Sequence, residues 1–213
     1  MESRFIKTPS GTIHAQVDGA GETVVLIHGY SPEVNSWRTW DKNIGSLAAH
    51  FRVYALDLLG YGESDTTEQQ PDTKTEARAV AQLLDAEEIA RTSLVGLSWG
   101  GLVAQTVVGL VPERVQRLVL VDSAHEHGAR GLERLKKIEC PALIIWDEED
   151  AVIPVENAWI LGGAIARSQV RILKREERDA GADPNNRHWS QVSHSLAWNR
   201  IVIDFLKGPA QIP

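Results

Sequence analysis

The sequence predicts an α/β fold: a doubly wound, mainly parallel sheet with helices on both faces. Three observations predict it. Short, continuous apolar and β-branched runs recur along the chain, as strands covered on both faces require. Segments of helical character separate them. One run, Leu94-Val95-Gly96-Leu97, breaks at glycine into Ser98-Trp99-Gly100-Gly101 and a helix rich in small residues, which is the strand–turn–helix context of a Gly-x-Ser-x-Gly elbow.

Taken in order, the elements begin with two strands near 4–7 and 12–17. They are joined by Pro9-Ser10-Gly11 and read as a hairpin. Thr23-Val24-Val25-Leu26-Ile27 is the first buried strand, followed by a helix over 37–49. Arg52-Val53-Tyr54-Ala55-Leu56 is the next strand, with a helix over 75–84. Ser93-Leu94-Val95 leads into the elbow and a helix over 98–110. The stretch 115–121 contains Leu118-Val119-Leu120-Val121. Then come Ala142-Leu143-Ile144-Ile145-Trp146, a helix over 155–165, Val170-Arg171-Ile172-Leu173 and a last helix over 193–206. The stretch 174–187 is the most polar and reads as an exposed, mobile loop.

Composition bounds the rest. A chain of 213 residues, 43% hydrophobic and 24% charged, suits one globular domain over 1–213, with no repeat or linker. A net charge of −7 and a pI near 5.5 argue against nucleic acid or an anionic membrane as partner. The single cysteine, Cys140, forms no intrachain disulfide and reads as a small buried hydrophobe. No apolar run reaches membrane-spanning length. The first seven residues lack a basic stretch followed by an apolar one, so a cytoplasmic protein is expected.

Four separated motifs carry chemistry. His28-Gly29-Tyr30 follows the strand at 23–27. Asp57-Leu58-Leu59-Gly60-Tyr61-Gly62-Glu63-Ser64 follows the strand at 52–56. The elbow holds Ser98, and 146–154 is an acidic loop ending at Pro154. On these motifs the chain resembles the α/β-hydrolase family, in the family's order, from His28 to Leu206. The resemblance implies that Ser98 is the nucleophile and that an acid and then a histidine follow it. A histidine must accept the serine proton, and a carboxylate must hold the imidazole and stabilise its cation.

By the family's Gly-x-x-Asp turn, the acid is Asp150, with Asp147 standing where the glycine would be. Asp147 and Asp122 are the other candidates. By the family's spacing from the base to a final Phe-Leu, the histidine is His188, seventeen residues before Phe205; His194 is the other candidate, read as a surface or packing histidine. Arg187 replaces the glycine usual before the base. The oxyanion hole would use the N–H groups of Trp99 and Tyr30, with Ser31 as runner-up for the second. The side chains of Tyr30, Trp99 and Trp189 are expected to bind substrate. His28 is expected to brace the loop, and His14 and His50 to have no catalytic part. His125-Glu126-His127 lacks the spacing of a zinc motif and a third ligand. No metal and no cofactor are expected.

Only about fifteen residues separate the strand ending at 121 from Ile138. That leaves room for one short helix and none for the helical cap of many family members. A serine at the elbow also excludes relatives with an aspartate nucleophile. The resemblance therefore implies a capless serine carboxylesterase acting on small, short-chain esters. Two alternatives stay open: another reaction on the same residues (lipase, thioesterase, perhydrolase, C–C hydrolase or acyltransferase), or a non-catalytic ligand receptor. Oligomeric state is not legible.

Overall fold

The structure, a computed structural model, describes residues 1–208. The end of the expected domain, 209–213, lies outside them. The strands are β1 (Glu2–Thr8), β2 (Gly11–Asp18), β3 (Thr23–Ile27), β4 (Arg52–Leu56), β5 (Thr92–Leu97), β6 (Val115–Val121), β7 (Ala142–Asp147) and β8 (Ser168–Leu173). They form one sheet in the order β1-β2-β4-β3-β5-β6-β7-β8. β1 pairs antiparallel with β2, and β2 with β4; every other pairing is parallel.

The continuous apolar runs have a direct structural reason. Side chains alternate faces along a strand, and here both faces are covered. Val25, Ile27, Leu94, Leu118 and Leu120 point into one core, shared with α2 (Thr73–Ala86), α3 (Trp99–Leu110) and α5 (Glu156–Ala164). Val24, Leu26, Val95, Val119 and Val121 point into the other, shared with α1 (Ser36–Ala48) and α7 (Ser195–Lys207). Ala77, Val80 and Leu84 on α2 recur at helical spacing on its buried face. Burying a side chain of leucine or valine size contributes about 2 kcal/mol relative to leaving it exposed.

Chain order reverses at β3. It steps to β4 on one side and to β5 on the other. In open α/β sheets ligands bind at the carboxyl ends of the strands beside such a switch point. Ile27 lies opposite Gly96, so the loops leaving β3 and β5 are neighbours there.

Several boundaries differ from expectation. α2 starts earlier than the predicted 75 because Asp72 caps it, accepting the Thr75 amide at 2.8 Å. The expected helix over 193–206 is two pieces, α6 (Ser190–Ser193) and α7, broken at His194. The His194 ring explains the break: Nδ1 lies 2.9 Å from Ser193 Oγ and Nε2 3.1 Å from Lys174 O. The segment after β6 holds one short helix, α4 (Gly128–Leu135). The expectation of a loose loop over 174–187 is corrected in its first part. Arg175–Glu177 is a 3-10 turn, Arg171 pairs with Glu177, and Lys174 Nζ lies 2.8 Å from a Glu148 oxygen. Cys140 is half-buried against the core, and burial pushes its thiol up to about 11. No helix among the described residues is long and apolar enough to cross a membrane.

Candidate active site

Ser98 sits between β5 and α3 with φ 53° and ψ −121°. This left-handed backbone is costly for a residue with a side chain. Neighbouring contacts over-determine it. The Ser98 amide donates to Val121 O at 2.9 Å, and Ser98 O accepts from the amides of Gly101 and Ala124. The glycines of the motif are required by close approach. A Cβ on Gly96 would stand 2.4 Å from Gly100 O, and one on Gly100 would stand 2.2 Å from His28 O. The turn is therefore wedged against the end of β3.

That wedge places the His28-Gly29-Tyr30 segment beside the serine. A Cβ added to Gly29 would lie 3.2 Å from Ser98 Cβ. His28 is fully buried and makes two bonds that fix its tautomer. Its Nε2 faces the Leu58 amide at 3.0 Å, which can only donate, so Nδ1 carries the hydrogen and donates to Gly29 O at 2.8 Å. Burial lowers its pKa; the Gly29 bond and the charge of Asp57 only partly oppose this. The lowered pKa favours the neutral ring, whose two hydrogen bonds tie the loop after β3 to Leu58. The Tyr30 amide leaves this loop, and the Trp99 amide belongs to the first turn of α3, where helical N–H groups have no intrahelical acceptor.

The motif at 57–64 folds around its first carboxylate. Asp57 accepts from the amides of Ser36 at 2.6 Å and Glu63 at 2.9 Å, and from His14 Nδ1 at 2.8 Å. Ser64 Oγ donates to Asp57 O and accepts from the His14 amide. Gly62 has φ 52°, and a Cβ there would overlap Asp57 Oδ2. Burial alone would raise the Asp57 pKa, but these hydrogen bonds hold it below the usual carboxylate range. The turn presents Tyr61, whose ring lies 4.8 Å from that of His28. Tyr61 packs edge to face with Tyr30, and both pack against Trp99 at centroid distances of 6.5 and 5.8 Å. Trp99 Nε1 donates to Thr73 Oγ1. The structure thus joins Tyr30 and Trp99, as expected of neighbours, and adds Tyr61, which the sequence reading missed. Trp189 sits elsewhere, half-buried against both cores.

Asp150 follows β7 and its side chain is fully buried. One oxygen accepts the amides of Val152 at 2.8 Å and Ile153 at 2.9 Å. His188 Nδ1 lies 2.9 and 3.1 Å from its two oxygens. A carboxylate only accepts, so Nδ1 carries the hydrogen and Nε2 is left as the free basic atom. The Ala151 amide donates to Arg187 O, tying the two loops together. Burial lowers the His188 pKa, but the hydrogen bond and charge of Asp150, with the charge of Asp122, overcome it and leave the ring above the ordinary histidine value.

The other candidates are engaged differently. Asp147 pairs with Arg178 at 2.8 Å. His194 is buried, with Nδ1 3.9 Å from Asp147. Asp122 accepts the amides of Asp147 and Ser190, each at 2.9 Å. The rings of His125 and His127 lie 4.9 Å apart. Among the described residues no three His, Cys, Asp or Glu side chains group as a metal site.

Comparison with known proteins places this arrangement. The sequence profile of the alpha/beta hydrolase fold matches residues 22–135, more than half of the chain. A curated relative is the 2-hydroxy-6-oxononadienedioate/2-hydroxy-6-oxononatrienedioate hydrolase of Cupriavidus pinatubonensis (strain JMP 134). It is 25% identical over 284 aligned positions, covering 96% of this chain and 95% of the relative. Those 284 positions exceed the 213 residues here, so that relative carries some seventy or more residues without counterpart in this chain. The dihydrolipoyllysine-residue acetyltransferase component of the acetoin cleaving system of Pseudomonas putida is 43% identical over 110 residues, which are 51% of this chain and 29% of that one. Among solved structures, a meta-cleavage product hydrolase from Pseudomonas fluorescens IP01 superposes with a TM-score of 0.86 at 22% identity, over 97% of each chain. These near-full-length relatives are hydrolases, and the profile match joins a sheet of this order with a serine elbow at the end of β5: the chain belongs to the α/β-hydrolase family.

Proposed function

We propose that the protein is a serine hydrolase of carboxylic esters with short acyl groups, using Ser98, His188 and Asp150. The observation that carries this reading is the His188–Asp150 pair, with a buried carboxylate held by two amides and an imidazole left basic at Nε2. Asp150 follows β7 and Ser98 follows β5, and these parallel strands end on the same side of the sheet.

In this mechanism Ser98 Oγ attacks the ester carbonyl while His188 Nε2 takes its proton. The N–H groups of Tyr30 and Trp99 hold the developing oxyanion. The imidazolium, stabilised by Asp150, returns the proton to the departing alcohol, leaving an acyl-serine. Water then attacks as His188 accepts its proton; the bond from the acyl carbon to Ser98 Oγ breaks, His188 returns the proton to Oγ, and the acid leaves. The short-acyl preference rests on the segment after β6, where one short helix, α4, stands.

A second reading, hydrolysis of a carbon–carbon bond in a vinylogous keto acid, is favoured by the names of the near-full-length relatives. The absence here of the residues those relatives carry argues for a different substrate. The test is a burst assay with p-nitrophenyl acetate beside a 2-hydroxy-6-oxo-dienoate. Ester turnover with a burst equal to the enzyme concentration supports the first reading. Turnover of the dienoate alone replaces it with the second, and turnover of neither overturns both.

A further inference from the structure

Asp122 is where three segments of the proposed site meet. Its predecessor, Val121, accepts the Ser98 amide at 2.9 Å. Its own carboxylate accepts the Asp147 amide with Oδ1 and the Ser190 amide with Oδ2. Asp147 begins the turn that ends at Asp150, and Ser190 is two residues past His188. Asp122 is fully buried and has φ 43°, a left-handed backbone unusual for a non-glycine. A strained, buried acid that bridges two loops is costly, and its persistence points to a use.

Its surroundings name that use. From the loop after β7, Asp150 faces it with like charge. From the loop before α6, His188 faces it with the charge it gains on protonation. Asp147, at the end of β7, is committed to Arg178, and His194 lies beside Asp147. Within this set, Asp122 and Asp150 are the two acids whose charges act on His188.

We propose that Asp122 is a positioning residue that clamps the Asp150 turn to the His188 segment and holds a second carboxylate against that segment. The proposal rests on the reading of His188 as the general base. Burial and the charge of Asp150 push the Asp122 carboxyl up to about 7, opposed by the Ser190 and Asp147 amides and the charge of His188. Asp122 and His188 form a coupled pair: protonation of one favours ionisation of the other. When His188 takes the serine proton, Asp122 is drawn toward its charged form.

The test reads His188 directly by NMR, independently of turnover. In the unsubstituted protein the Asp122 carboxyl carbon should titrate between pH 4 and 9, and its curve and that of His188 Cε1 should each sense the other. In Asp122→Asn the His188 midpoint should fall by about 0.5 pH or more. In Ser190→Pro, which removes one amide donor at the first position of α6 where proline is tolerated, the carboxylate loses a bond and the midpoint should also fall. An Asp122 signal flat between pH 4 and 9, or an unmoved His188 midpoint in a folded variant, overturns the proposal. The acid limb of kcat/KM for p-nitrophenyl acetate should move with the midpoint in Asp122→Asn. A purely structural role would lower the rate and leave that limb in place. If the protein hydrolyses no ester, the NMR arm still decides.

Discussion

Asp147 and Asp150, three residues apart at the end of β7, are committed to different partners. Asp150 receives His188 Nδ1 at 2.9 Å, whereas Asp147 receives Arg178 at 2.8 Å. Their substitution should separate chemistry from stability. Asp150→Asn keeps the shape but favours the wrong imidazole tautomer, and kcat should fall by about 10³-fold or more. Asp147→Asn strands a largely buried guanidinium and should cost about 3 kcal/mol of stability while changing kcat little. Urea unfolding and ester kinetics on both variants check this. A larger kcat loss at Asp147 would reverse the assignment.

The pH profile follows from His188. The ring must be neutral to accept the Ser98 proton, and Asp150 and Asp122 raise its pKa above the ordinary histidine value. kcat/KM for p-nitrophenyl acetate should therefore rise with pH, with a midpoint above about 6.5. A midpoint at or below that value would contradict the electrostatics described for the pair.

Glu76 gives a stability prediction away from the chemistry. It is buried on α2, one oxygen accepts the Leu59 amide, and the other has no partner. Burial pushes it up to about 8. The folded state therefore holds a proton that the unfolded chain releases near pH 4.5. Stability from this group is full below that pH and is lost as pH rises through about 8. Glu76→Gln should raise Tm at pH 8 and flatten its decline between pH 5 and 9. Equal pH dependence in the two proteins would show that Glu76 is not protonated in the fold.

Acyl-chain preference tests the open site. With only α4 after β6, few CH₂ groups can be buried, and each contributes about 0.8 kcal/mol when it is. kcat/KM should peak at acetate or butyrate along a p-nitrophenyl series, with no jump on a triolein emulsion. A maximum at octanoate or longer would mean that a deep acyl channel exists.

The parallel strands were legible because a sheet covered on both faces writes itself as unbroken apolar runs, such as Leu118 to Val121. The pairing of His188 with Asp150 was legible through the family resemblance, whose spacing sets the acid from a strand end and the base from a helix end. What escaped depends on contacts distant in sequence. The break at His194 needs Lys174 O, twenty residues away. The charges after Lys174 read as solvated, yet Arg178 finds Asp147 thirty-one residues earlier. Tyr61 reaches Tyr30 and Trp99 only because Asp57 gathers its turn around one carboxylate, and the pattern at 57–64 was the signal for it. The bridging role of Asp122 left no trace in the sequence beyond an acid at the end of an apolar strand.

In the proposed mechanism Ser98 forms the acyl-enzyme with His188 as its base. The most direct measurement is ester turnover and intact mass after mixing with p-nitrophenyl acetate, for the unsubstituted protein and for Ser98→Ala. An acetyl adduct is expected on the unsubstituted protein alone, with a loss of turnover of about 10³-fold or more in Ser98→Ala and unchanged thermal melting. Retained turnover, or an adduct that survives the substitution, would contradict it.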